Sequence, residues 1–267
     1  MKATLTVDRL KSWVIIAAFI TGSGAQLAQA GETSVYLQSG WFSSDEEVNG
    51  HSFVKEKGFM HGAGIARKDE VSVLSIAESF EVWGGNLDYD GHDLTGVTTV
   101  KSNTSYLGTR EEVAVGISLL TGTLSFVPFV AVGHKFWIRT RSGEDWNCFY
   151  TKAGMMGELK TTGAMLFVKG GALVPLYTRD HASISGAGYA DVVLEPRPEV
   201  SGFAEVGGKR GAFAVSLEYE GMRFGESAKV STSKSTSGPN GVVVVNGQAY
   251  QPGFQSSLYS LKLAYSF

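Results

Sequence analysis

The chain ends SLYSLKLAYSF, and this stretch alternates residue by residue. Tyr259, Leu261, Leu263, Tyr265 and Phe267 are large and apolar; Ser260, Lys262, Ala264 and Ser266 between them are small or polar. A period of two is the signature of a strand with one apolar and one polar face. Where a whole chain repeats it, the product is a sheet. The remaining question is whether that sheet closes and which solvent it faces.

The alternation recurs along the chain. SVYLQSGW puts Val35, Leu37 and Trp41 on one face. EEVAVGISL sets Val113, Val115, Ile117 and Leu119 against Glu112, Ala114, Gly116 and Ser118. GAFAVSLEYEG sets Phe213, Val215, Leu217 and Tyr219 against Ser216, Glu218 and Glu220. In SFVPFVAVGHKFWIR the apolar face carries one misfit, His134, while Val127 and Phe129 join Lys135, Trp137 and Arg139 on the other. In VSVLSIAESFEVW neither register is clean, because Glu78 and Glu81 fall on opposite faces; a bulge there would reconcile them. The pattern predicts about ten strands, within a range of 8–12, near 33–43, 58–67, 70–84, 108–121, 125–140, 147–159, 162–178, 199–208, 211–225 and 256–267.

The connections alternate in length. ARKDE, LTGTLS, ELKTTG and GGKRG are tight and polar. The opposite connections, near 43–58, 84–108, 141–147, 180–199 and 225–255, are long. Short turns at one end and long loops at the other are the habit of a transmembrane barrel, not of a soluble sandwich. An even strand count puts both termini on the short-turn, periplasmic side.

The start of the chain gives the destination. Lys2, Arg9 and Lys11 precede the apolar run WVIIAAFI, and AQLAQA supplies Ala28 and Ala30 at the spacing of a cleavage site. Residues 1–30 are expected to be a secretory signal peptide and 31–267 the barrel domain. The apolar run falls short of the roughly 20 residues a membrane helix needs. Removing the leader takes the formal charge from −3 to about −5, which gives no support to nucleic-acid binding. Cys148 is the single cysteine, so no internal disulfide is possible.

Strand edges cannot be left bare in lipid, so the sheet must close into an all-β, antiparallel transmembrane barrel. Phe267, with Tyr265 two before it, resembles the C-terminal recognition signal of bacterial outer-membrane proteins; Lys262 stands where that signal often has Gly. The resemblance implies the outer membrane as location and the outer-membrane assembly machinery, together with lipid and lipopolysaccharide, as partners. The expected inward charges are Glu112, Lys135, Arg139, Lys152, Glu158, Lys169, Glu205, Glu218, Glu220 and Lys262. Mixed charges inside a ten-stranded barrel fit a lumen plugged by ion pairs better than an open pore. A narrow passive channel between the charges is the alternative.

The loops carry the remaining chemistry. VWGGNLDYDGHD gathers Asp88, Asp90, His92 and Asp93, and YTRDHAS places Asp180 beside His181. An acid pair in one outer loop and an Asp/His pair in another resemble the active site of the omptin proteases, also ten-stranded barrels, where such groups activate a water. Here Asp180 and His181 are adjacent, so on a strand they point to opposite faces, and we expect no hydrolysis. Asn86, Asp88, Asp90 and Asp93 also echo a calcium loop, without the Gly and distal Glu of an EF-hand. Two lone strand histidines, His61 and His134, are not a metal site. No cofactor is expected, and the sequence does not define an oligomeric state.

Overall fold

The computed structural model describes residues 31–92, 98–120, 122–140, 142–238 and 241–267, without the side chains of 236–238 and 241–243. The chain runs through β1 (Glu32–Val48), β2 (His51–Val71), β3 (Leu74–His92), β4 (Thr99–Ile117), β5 (Leu124–Arg139), β6 (Glu144–Thr161) and β7 (Ala164–Ala182). It continues through β8 (Val192–Leu194), β9 (Arg197–Glu199), β10 (Ser201–Arg210), β11 (Phe213–Gly225), β12 (Val230–Gly238), β13 (Gly241–Ala249) and β14 (Gly253–Ser266). Ten of these form one ring. β1 to β7 pair in sequence, β7 pairs β10, β10 pairs β11, β11 pairs β14, and β14 returns to β1. Every pairing is antiparallel. The Phe267 amide donates to the Thr33 carbonyl at 2.8 Å, so the last residue is tied to the seam.

Period-two sequence explains the wall. Outward residues are apolar and bare: Leu37 is 65% exposed and Phe213 68%. In water such a continuous surface would be an aggregation hazard; against hydrocarbon it is the required surface. Aromatic pairs mark both borders of this belt. Phe213 packs on Tyr265 at the turn end, while Trp41 packs on Phe59 and Tyr219 on Tyr259 further up.

The wall does not stop at the belt. β1 to β4 are 17 to 21 residues long, against the roughly 9–11 that cross a bilayer. Two expected loops are therefore mostly sheet. Residues 43–58 are a hairpin turning at Asn49 and Gly50, both at positive φ (53° and 75°) as a two-residue type I′ turn requires. Most of 84–108 belongs to β3 and β4. The physical reason is that the pattern inverts above the belt. There the outer face meets water and carries Lys55, Lys57, Asp88 and Asp90, while the inner face carries Val54, Leu87 and Tyr106. Within 225–255, β12 and β13 form a separate two-stranded hairpin.

The bulge expected within 70–84 does not occur. β3 pairs both neighbours without a register shift, with Glu81 buried in the lumen and Glu78 on the opposite face. The ring's register shifts are elsewhere. One lies between Phe149 and Tyr150 of β6, where Leu176 of β7 is the extra residue; the other lies at Glu46/Glu47 of β1.

Candidate functional site

The lumen is filled in layers, and their order follows the inward residues of each strand. Rising along β5 they are Phe129, Lys135, Trp137 and Arg139; rising along β11 they are Glu218, Glu220, Met222 and Phe224. Charge, then aromatic rings, then charge again succeed one another toward the outer rim.

Glu220 is the hub of the lower layer. It accepts from Lys135, from Lys152 at 2.9 Å and from Arg110 at 3.3 Å. Arg110 also donates to Glu81 at 2.9 Å, and Glu81 accepts from Gln38 at 2.7 Å and Tyr36 at 3.0 Å. Lys152 reaches Glu112 at 2.7 Å, and the Tyr150 hydroxyl donates to the same carboxylate at 3.0 Å. Lys262 joins Glu218 at 2.9 Å and Glu205 at 3.5 Å. Buried charges survive only when paired in this way. Lys169 lies over the Phe129 ring instead, 4.9 Å from its centroid. Glu158 is separate, nearer the turns, with Lys68 at 3.5 Å.

Two glycines make the lower layer possible. A Cβ at Gly64 would sit 2.4 Å from the Tyr36 ring, and one at Gly133 would sit 2.3 Å from the Tyr150 ring. With no side chain there, each ring lies across the neighbouring strand and aims its hydroxyl at a lumen carboxylate.

Above this layer Trp137 stacks on Trp146 (5.3 Å), which packs against Phe224 and Phe254 (5.9 Å each). A cavity of about 60 Å³ between the two layers is bordered by Gln38, Trp83, Arg110, Trp137, Met222 and Ser260. It has room for a few waters. Gln38 Oε1, Trp83 Nε1 and Ser260 Oγ are buried without a protein partner.

Arg139 sits beyond the rings, in a cluster of its own. It donates to Glu46 at 2.8 Å, Glu144 at 2.6 Å and Glu56 at 3.0 Å, and Tyr106 donates to Glu56. Asp180 is fully buried beside this cluster, and neither carboxylate oxygen has a hydrogen-bond partner. Burial, reinforced by the negative charge of Glu144, pushes its pKa up to about 9. Burial likewise raises Glu46 to about 7. Both groups stand on the part of the wall above the belt.

The residues of the omptin-like reading are not brought together. Asp180 points inward. His181 points outward and pairs with Asp145 at 3.1 Å. Asp88 and Asp90 lie on the outer face of β3, Asp90 paired with Lys101 at 3.1 Å. Asn86 accepts from Ser105, and Asp93 lies outside the described residues. Among the described residues no group of three or more His, Cys, Asp or Glu is arranged to hold a metal ion. Ala28 and Ala30 also lie outside the described residues.

Sequence reasoning missed Glu81, Arg110, Glu46, Glu56 and Glu144. Arg110 could have been found, because it shares the face of Glu112 two residues on. Glu46 and Glu56 fell in a stretch read as loop.

No family model matches the chain, and no curated protein matches its sequence. Several solved structures align with it at low identity. The outer membrane protease OmpT from Escherichia coli aligns at TM-score 0.47 and 11% identity, over 89% of this chain and 96% of that one. The transport unit of the autotransporter AIDA-I from Escherichia coli aligns at 0.42 and 11%, over 97% of each chain. Neisserial surface protein A aligns at 0.35 and 8%, over 90% of this chain and 100% of that one. In its own architecture, a closed antiparallel ring of ten strands with an apolar outer belt, the chain is a β-barrel of the outer-membrane type.

Proposed function

We propose that the protein works in the bacterial outer membrane as a closed barrel, binding through its extracellular rim rather than conducting through its lumen. The supporting observation is the hub at Glu220, which ties Arg110, Lys135 and Lys152 across the interior. An ion crossing the barrel would have to displace these paired charges and then pass the Trp137–Trp146 stack. The rim offers what the lumen does not: a wall that continues above the belt, topped by the β12–β13 hairpin. Export by a cleaved leader, contact with lipopolysaccharide, and recognition by the assembly machinery through Tyr265 and Phe267 belong to this reading. The test is single-channel recording in planar bilayers. Wild type is expected to give no discrete openings. Regular conductance steps at neutral pH would replace this reading with that of a narrow passive channel.

A further inference from the structure

The β12–β13 hairpin has two edges, and the chain covers only one of them. At its base Val230 and Ala249 pack on the buried cluster of Ala182, Val192 and Leu194. Along β12 the segment 187–190 lies against the strand. The Ala190 amide donates to the Ser233 carbonyl at 3.0 Å, the Thr232 hydroxyl to the Ala190 carbonyl at 2.8 Å, and the Lys234 ammonium to the Ala187 carbonyl at 2.8 Å. β13 has no such cover. Among the described residues it pairs with β12 alone, and no other segment hydrogen-bonds to its backbone.

The register fixes which groups are bare. Opposed residues of an antiparallel pair alternate between exchanging hydrogen bonds and turning them away from each other. Ser233 gives its carbonyl to Ala190, so it turns away from β13, and its partner Asn246 turns away from β12. Val244 and Gln248, two residues to either side, have the same phase. These three residues present their amides and carbonyls along the free edge. Val244 is 59% exposed, and Asn246 and Gln248 are exposed with it. Proteins protect such edges with lysine, proline or a bulge. Gly241–Ala249, GVVVVNGQA, has no charge and no proline, and it pairs β12 without a register shift.

We propose that the free edge of β13 takes an extended peptide of a partner protein as a third, antiparallel strand, with acidic residues at its start and β-branched residues after them. This peptide is the partner in the rim-binding reading above, on which the inference rests. Three features select it. The bare groups are alternating backbone donors and acceptors, which another strand matches along its whole length. Val244 and Val245 stand exposed on opposite faces of β13, and β-branched side chains on the next strand pack best beside them. The charge of the hairpin is of one sign: from Ser227 to Gln251 the charged residues are Lys229 and Lys234, without an acid. Lys234 is held by the Ala187 carbonyl and the Tyr189 ring, on the covered side. Lys229 lies over the Tyr250 ring, 5.5 Å from its centroid, beside the end of β13 where an antiparallel partner begins.

The test uses the full barrel refolded in detergent micelles and a fluorescein-labelled peptide, two glutamates followed by alternating threonine and valine. Binding is read by fluorescence anisotropy. Methylating alternate backbone nitrogens of the peptide keeps its side chains and removes its edge donors, and should weaken binding roughly tenfold, the worth of about two hydrogen bonds. Asn246→Pro should weaken it by a similar factor. Proline there removes an edge amide and leaves the β12–β13 bonds in place, as an edge position allows. Asn246→Ala keeps that amide and should bind like wild type. Exchanging the glutamates for lysines should also weaken binding. No binding by wild type, equal binding of the methylated peptide, an Asn246→Pro barrel that binds like wild type, or equal binding of the lysine peptide overturns the proposal. A wild-type dimer that the peptide does not dissociate and that Asn246→Pro converts to monomer would assign the edge to a second copy instead. Conductance steps in planar bilayers would sink the rim-binding reading separately, whatever the peptide does.

Discussion

Removing Glu220 should destabilise the barrel through one particular neighbour. Glu220 serves three cations, but they depend on it unequally. Arg110 keeps Glu81 at 2.9 Å and Glu218 at 3.9 Å, and Lys152 keeps Glu112 at 2.7 Å. Among the described ion pairs, Lys135 has Glu220 alone. Glu220→Gln therefore strands one buried ammonium, and breaking a buried pair in this way costs about 3–5 kcal/mol. Lys135→Met is a different case. It leaves Glu220 with two cations and fills the space with an apolar chain, so its cost should be about 1 kcal/mol or less. The double variant should recover most of the Glu220→Gln loss, giving a coupling energy of about 2–3 kcal/mol. Urea unfolding in phospholipid vesicles, followed by tryptophan fluorescence and by gel mobility with and without heating, measures all four corners. Additive effects would refute the hub, as would a Lys135→Met cost equal to that of Glu220→Gln.

Four further outcomes follow from the same geometry. Gly64→Val should cost about 1–3 kcal/mol, because the new side chain must push Tyr36 away from Glu81; unchanged unfolding would disprove that contact. Asp180 has a folded pKa of about 9 against an ordinary 3.8, so the stability it contributes is complete below pH 3.8 and is lost as pH rises toward 9. Wild type should therefore weaken across that window while Asp180→Asn stays flatter, as unfolding midpoints taken from pH 5 to 9 will report. Cys148 is fully buried, so a maleimide should label it only after heat unfolding; labelling of folded barrel would count against its placement. Deleting Phe267 removes its bond to Thr33 at the seam, and cell fractionation should then show less heat-modifiable barrel in the outer membrane.

The legible part of the fold was the part in contact with lipid. Between Val35 and Trp41, or Phe213 and Tyr219, outward means apolar, and the eye finds the strand at once. Above the belt the same backbone continues under the opposite rule. Val54 and Leu87 turn inward while Lys55 and Asp88 face water. A search for apolar-outward alternation ends at that phase change and leaves the extension looking like loop. The lumen was legible where a charge stood among clear alternation, as at Glu112, Lys152 and Glu220. It was illegible at Glu81, whose strand carries a second acid, Glu78, on the other face. Arg139 illustrates a different limit. It shares the face of Lys135, yet Trp137 stands between them, and the two join different clusters. Sequence gives the face of a side chain, but its level in the barrel depends on strand stagger, which only closure fixes.

The lumen's ion pairs also constrain how such a chain can be assembled. Arg110, Lys135 and Lys152 enter early, on three successive strands, whereas their shared anion follows the last of them by 68 residues. Arg110 and Glu220 are 110 residues apart in sequence. A barrel built hairpin by hairpin would thus hold the Lys135 ammonium without its carboxylate until β11 arrived, while Arg110 could already meet Glu81 and Lys152 Glu112. Sealing the seam between β14 and β1 and neutralising the interior are therefore nearly one event. A chain cut before β11 could not settle as a smaller barrel, because it would leave an open edge in the bilayer and the Lys135 ammonium without its carboxylate.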